Sequence, residues 1–380
     1  MRVFQAGADG FAEVPALPAA LPAAGFTWVA LSRDELAADR DGLQAALLRW
    51  TGGHLVDLHL SDLLNAQLPS RFEATSWYDL LVFRELALAP GVERADPRPV
   101  NAGSSPAAEP TARPSGVPLA VDKVETVAVG FAVFDRVLLS VHPAGSPLPE
   151  AFAQRLAGRN GGSGGNDLRG GARAPVAPAE LMLRMVSHIV DGYLELRRVL
   201  TRRLGRLQQD LLDPRRRFAG WQLLLDSRND LHLLEDICED QRAAIVEWIE
   251  ALAEWPEAAD PERRREHELL GVRSRDVQEH VERVLVHVGR LERSTEAAVQ
   301  MHFSALAHRT NSIMRTLTVL TAVFLPLNLV TGFFGMNFDT LPLIHTATGI
   351  WIAVAVMLAM GFGLLAWLWR KRYLDSDGRR

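Results

Sequence analysis

Two apolar runs, 313–334 (IMRTLTVLTAVFLPLNLVTGFF) and 350–369 (IWIAVAVMLAMGFGLLAWLW), lie one short loop apart near the end of a 380-residue chain. At 1.5 Å of rise per residue each is long enough for the ~30 Å hydrocarbon core of a bilayer. The pattern predicts a membrane hairpin, and the rest of the fold must be built around it. The second run is uncharged, whereas the first carries Arg315 near its start and then Thr316, Thr318, Thr321, Pro326, Asn328 and Thr331. Threonine hydroxyls can bond back to their own helix, but an asparagine amide in hydrocarbon needs a partner. Two helices cannot enclose a polar path, so a polar first span is expected to gather against copies of itself, with the second span facing lipid. Arg309 and Arg315 precede the hairpin and Arg370-Lys371-Arg372 follow it, while the loop 335–349 holds only Asp339 and His345 as ionisable groups. The positive-inside rule then places both termini in the cytoplasm of a bacterial-type inner membrane. Trp351, Trp367 and Trp369 sit where an interfacial aromatic belt is expected.

Charge fills the chain before this hairpin, so the averages (23% charged, mean hydropathy +0.02) conceal a segregated sequence. A net charge of −5 gives no reason to expect nucleic acid as a partner. The single cysteine, Cys238, excludes an internal disulfide and a Cys-rich zinc site. The opening MRVFQAGADGF has no basic stretch followed by an apolar one, so the N-terminal part is expected to stay in the cytoplasm. Residues 96–118, rich in Pro, Ala, Ser and Gly, read as a loop insertion, and the Gly-rich 158–178 as a linker. Residues 1–157 contain strand-like runs at 26–31, 78–86 and 124–142, the last split by Asp135-Arg136 into two adjacent strands. A helical segment Arg33–Trp50 follows the candidate N-cap Ser32. This mixture predicts an α/β domain whose sheet order the sequence leaves open.

From Ala179 the pattern is helical. A stripe runs from Leu181 to Leu207 and ends at Asp213-Pro214; a second helix covers roughly Arg217–Trp255 and stops at Pro256. A third carries Val277, Val281, Val284, Val288, Leu291, Thr295, Ala298, His302 and Ala305 at spacings of four and three, and continues into the first span. The helical domain and stalk thus occupy 179–312, followed by the spans, the loop and a basic tail, 370–380. The seam reads as a bundle core or as the wall of a conduit, and its small and polar positions from 295 onward suggest a wet lower half. His232 with Glu235-Asp236 and Glu239-Asp240 reads as a solvated acidic stretch. No phosphate-binding loop, HExxH or nucleophile constellation is present, so an enzyme is not expected.

The string HRTNSIMRTLTVLTAVFLPLNLVTGFFGMNF, 308–338, one short loop before a final span, resembles the pore helix and Gly-Met-Asn motif of the CorA/ZntB divalent-cation transporters. VSHIVDGYLELRRVL (186–200) resembles that family's first long cytoplasmic helix. The resemblance implies a funnel-shaped homopentamer in membrane lipid that moves Mg²⁺, Co²⁺ or Ni²⁺, or Zn²⁺ in the ZntB branch, with no cofactor besides the transported or regulatory ion. It assigns Gly335, Met336 and Asn337 to the selectivity filter, with Asn337 as the metal-facing ring and Met336 packed behind it. Asn311, Met314, Leu317, Thr318, Thr321, Leu325 and Asn328 would line the pore, with Met314 and Leu317 as gate, and Asp276 would supply a regulatory metal carboxylate. Two departures bear on the ion: Leu341-Pro342-Leu343 has no acid beside its proline, and Gln300 stands where some relatives carry one. The alternatives are proton-coupled Zn²⁺ transport, to which His345 could contribute a ligand, and a membrane-anchored scaffold without transport.

Overall fold

Strands buried on both faces lose the in–out alternation of a half-buried sheet, and that is the state of the central strands here. The computed structural model describes residues 1–7, 10–87, 124–157, 175–213, 218–256, 260–336 and 347–370. The insertion at 96–118, most of the linker, Asn337 with most of its loop, and nearly all of the basic tail lie outside the described residues. The chain divides into two compact units, one of Met1–Gln209 with Arg217–Ser294, the other of Asp210–Arg216 with Thr295–Arg380.

In the first unit, β1 (Arg2–Gly7), β2 (Gly10–Val14), β3 (Phe26–Ser32), β4 (Arg71–Ala74), β5 (Asp79–Leu86), β6 (Thr126–Val133) and β7 (Val137–His142) form one sheet of order β2-β1-β3-β7-β6-β5-β4. Only β3 and β7 pair in parallel; the other neighbours are antiparallel. β6 and β7 form the hairpin expected around Asp135-Arg136, closed by the Phe134 N–H donating to Val137 O at 2.9 Å. Val29 and Leu31 of β3 and Val137, Leu139 and Val141 of β7 pack with Leu36, Leu43, Leu47 and Leu60 from α1 (Arg33–Ala38), α2 (Arg40–Thr51) and α3 (Asp57–Leu64). On the opposite face the Trp28 indole donates to Ser140 Oγ at 2.8 Å, which also bonds His142 Nε2 at 2.8 Å.

The single helix expected over Arg33–Trp50 is two. Ser32 caps α1 with a reciprocal pair: its hydroxyl accepts from the Glu35 N–H and its own N–H donates to the Glu35 carboxylate. Asp39 then leaves helical geometry, with φ −120° and ψ 38°. Its carboxylate fills the space over Gly42, where a Cβ would stand 2.2 Å from Oδ1.

Asp79, at the start of β5, is buried, and burial together with the nearby Asp135 raises its carboxyl to about 6 from 3.8. The folded state therefore binds more protons than the unfolded chain between these values, and stability falls as pH rises through that window. Asp79→Asn is expected to stabilise the first unit at pH 7.5 by about 1–2 kcal/mol and to flatten its stability between pH 4 and 6. Thermal unfolding across that range checks both.

Behind the sheet come α4 (Leu148–Ala157) and the long helices α5 (Pro178–Leu212), α6 (Trp221–Glu254) and α7 (Pro261–Phe334); α8 (Ala347–Arg370) is last. The Tyr193 hydroxyl of α5 and the Gln241 amide of α6 both donate to Arg84 O, each at 2.9 Å, tying these helices to β5. Thr201 of α5 meets His287 Nε2 of α7 at 2.9 Å, and the Trp248 indole of α6 donates to Ser274 Oγ of α7 at 2.9 Å. Val277, Val281, Val284 and Val288 are buried, and so are Thr295 and Ala298. The seam is therefore buried within one chain as far as Ala298, not a wet conduit wall. His302 is half-buried and bonds Leu211 O at 2.7 Å; only at Ala305 is the seam open.

Candidate functional site

The second unit is built on the continuation of α7, an unbroken helix of 74 residues that contains Pro326. α7 and α8 each contain a window apolar and long enough to cross a membrane, with mean hydropathy 1.9 and 2.2. Each carries a stripe withdrawn from solvent, and the two helices meet at Leu327 and Gly361. On α7, Val319 is buried and Val323, Pro326, Leu327 and Val330 are half-buried; on α8, Ala353 is buried and Met357, Met360, Gly361 and Leu364 are half-buried. Gly361 borders the Leu327 methyl groups, which would stand 4.0 Å from a Cβ at that position.

Asn311, Met314, Leu317, Thr318, Thr321, Leu325 and Asn328 are all exposed in the single chain, Leu325 to 69%. At ~100° per residue these positions centre on the side of α7 roughly opposite the stripe that meets α8. The helix thus has one face covered by its neighbour and one, of mixed polar and apolar character, left bare. Along it the backbone absorbs the hydroxyls: Thr316 donates to Ser312 O at 2.9 Å, Thr318 to Met314 O at 2.8 Å and Thr321 to Leu317 O at 2.9 Å. Threonines bonded in this way tolerate a low-dielectric setting, because no hydroxyl proton is stranded. Asn328 has no such local solution and remains the polar side chain of this face nearest the motif.

At the end of α7 the Gly335 N–H donates to Thr331 O at 2.9 Å and the Met336 N–H to Phe333 O at 3.4 Å. A Cβ at Gly335 would come within 3.1 Å of Thr331 O, so glycine suits this tight exit. Met336 is 43% exposed in the single chain. Asn337 lies beyond the last described residue of this segment.

Asp276 is in the first unit, exposed, with His280 Nε2 at 3.9 Å. It borders a groove of about 640 Å³ between α4, α5 and α7 that is also lined by Asp191, His188, Arg155, Arg184 and Arg273. Glu180 nearby is held by Arg184 and Arg273. Burial alone would raise the Glu180 carboxyl, but these guanidiniums and the Val176 N–H keep it below the usual range. Among the described residues, Asp276 gathers no set of three ligand atoms within its own chain; the single such grouping is between α6 and α7.

A mixed sheet domain followed by long helices, the last two carrying apolar spans, defines a two-span membrane protein with a large extramembrane part. A family model described as CorA-like Mg²⁺ transporter protein matches residues 115–372. The chain belongs to this family, one of metal-ion transporters rather than enzymes. It is similar to the cobalt/magnesium transport protein CorA of Thermotoga maritima, 26% identical over 100 residues, covering 26% of this chain and 28% of the relative. The cobalt/magnesium transport protein CorA of Methanocaldococcus jannaschii is 40% identical over 50 residues, 13% of this chain and 16% of the relative. The chain thus matches less than a third of the length of these curated relatives. The complete structure of the CorA magnesium transporter from Methanocaldococcus jannaschii superposes with a TM-score of 0.68 at 14% identity, covering 97% of each chain.

Proposed function

We propose that the chain is one subunit of a divalent-cation channel, with Mg²⁺ as its main ion and Co²⁺ or Ni²⁺ as further ones. The observation that carries this reading is the bare face of α7, polar and apolar by turns, opposite the stripe that meets α8. Copies of the chain gathered in a ring, a homopentamer in the family's manner, would turn that face inward and leave α8 to the lipid. Met314 and Leu317 then form the apolar gate, Thr318, Thr321, Leu325 and Asn328 line the path above it, and Asn311 lies at its inner mouth. Asn337 forms the outer filter. Mg²⁺ gives up its water reluctantly, and carbonyl oxygens that accept hydrogen bonds from a hydrated ion's waters capture it at less cost than dehydration. The absence of Lys and Arg from 316–369 leaves no fixed positive charge along the path. The basic residues on either side of the hairpin support cytoplasmic termini. Asp276 contributes to a regulatory site only if a neighbouring subunit completes it.

Proton-coupled Zn²⁺ transport is the second reading, favoured by the lack of an acid beside Pro342 and by His345 in the same loop. Uptake of Mg²⁺ and Zn²⁺ into liposomes holding the purified protein, with and without a pH gradient, separates the two. Mg²⁺ uptake indifferent to the gradient is expected. Zinc-selective, proton-dependent uptake would favour the second reading, and no uptake of either ion by an assembled oligomer would leave only a membrane anchor.

A further inference from the structure

The grouping between α6 and α7 consists of His232, Glu235 and Glu292. His232 and Glu235 stand three residues apart on α6 and so project to one side, and Glu292 reaches them from α7. One ligand atom from each lies within 4.8 Å of the others, and His232 Nε2 is 3.3 Å from Glu292 Oε1. Metal–ligand bonds of 2.0–2.2 Å in tetrahedral geometry place neighbouring ligand atoms about 3.3–3.6 Å apart. The His–Glu pair already has that separation, and the third ligand needs only a small side-chain adjustment. His232 is exposed while both glutamates are half-buried, so an ion could enter from solvent and keep water in its remaining position.

The surroundings favour a cation. The α6 segment 226–240 holds Asp226, Asp230, Glu235, Asp236, Glu239 and Asp240 against a single arginine, Arg228. Burial and the charges of Asp236 and Glu239 raise the Asp240 carboxyl, a sign of crowded negative charge along this helix. Gly289, one turn before Glu292, brings the α7 backbone beside Glu235: a Cβ there would be 3.9 Å from Oε1 and 3.6 Å from an Arg293 guanidinium nitrogen. The Arg293 guanidinium therefore also lies in the neighbourhood of Glu235.

We propose that His232, Glu235 and Glu292 form a binding site for a transition-metal dication, Zn²⁺, Co²⁺ or Ni²⁺, that bridges α6 and α7. An imidazole with two carboxylates suits these ions, whereas Mg²⁺ prefers an all-oxygen octahedral shell. The site belongs to the first unit and the bare face of α7 to the second, so it is not part of the transport path proposed above, and it stands whether or not the chain conducts. A bound ion would fasten α6 to the helix that continues into the hairpin.

Calorimetric titration of the chelator-stripped full chain in detergent with ZnCl₂, CoCl₂ and MgCl₂ tests this. The expected result is a Zn²⁺ site, one per chain, that His232→Ala or Glu292→Gln each weaken by about tenfold or more, one lost ligand being equivalent to at least one decade. The pair together should remove that site, leave any other zinc binding intact, and abolish the part of the Co²⁺ visible spectrum that comes from imidazole ligation. These side chains are at least partly exposed, so unchanged melting of the metal-free variants is expected, and Glu235→Gln gives an independent third variant. Zn²⁺ binding with unaltered stoichiometry and affinity in the double variant would overturn the proposal. Displacement of Zn²⁺ by equimolar Mg²⁺ would overturn the assignment to transition metals.

Discussion

Asn337→Ala is expected to lower Mg²⁺ uptake by about a hundredfold or more while the oligomer still assembles. A hydrogen bond involving a charged partner contributes about 1.5–3 kcal/mol, and a hydrated dication polarises its waters strongly enough to fall in that class. Every ~1.4 kcal/mol is a factor of ten, and a ring loses its acceptor from every subunit at once, so two lost contacts already reach the hundredfold level. Assembly should survive because the helix contact seen in the span, Leu327 against Gly361, does not involve the loop. Initial uptake rates into liposomes, beside size-exclusion profiles of the two proteins, provide the measurement. Unchanged uptake would remove Asn337 from the filter.

Trp248→Ala should produce the largest loss of stability in the first unit, about 3–5 kcal/mol. The ring is fully buried on α6, edge-on to Phe72 of β4 with centroids 5.8 Å apart and to Trp255 at 5.9 Å. Its N–H donates to Ser274 Oγ at 2.9 Å, and the hydroxyl of Ser274, itself fully buried, donates to Leu270 O at 2.8 Å. One side chain therefore joins the sheet edge, α6 and α7. Truncation opens a cavity among three elements and leaves a buried hydroxyl oxygen without its donor. Trp248→Phe keeps most of the apolar contact and should cost less, with about 1 kcal/mol of its loss due to the hydrogen bond. Thermal melts of the full chain in detergent rank the two variants.

The hairpin and the long helix leading into it were legible because a bilayer imposes one uniform demand, some twenty apolar residues with their backbone bonds closed internally. The β6–β7 hairpin showed itself through Asp135-Arg136. β1 and β2 did not: Val3 and Phe4 are adjacent and both buried, which erases the alternation that marks a strand. The sheet order rests on β3 pairing with β7 more than a hundred residues later, a contact no local pattern announces. The break at Asp39 depends on its carboxylate folding over Gly42, and the periodicity of the flanking residues runs straight through it. The seam of α7 was legible as a periodicity with two possible meanings, bundle core or conduit wall; the burial of Val277, Val281, Val284, Val288, Thr295 and Ala298 within one chain is that of a core. His232 and Glu235 were visible as neighbours on one helix. Glu292, which changes their meaning, is some sixty residues away in sequence and reaches them only through the packing of α6 on α7.

Cysteine accessibility along α7 tests the pore most directly. The chain has one native cysteine, Cys238, and burial raises its thiol to about 12, so it is a silent background for thiolate chemistry. Single cysteines at 314, 318, 321, 325 and 328, and at 319, 323, 327 and 330, would be treated with a charged thiol reagent during Mg²⁺ uptake into liposomes. Block of uptake confined to the first set is the expected result. Block confined to the second set, or none in either while uptake persists, would contradict the assignment of this face of α7 to the ion path.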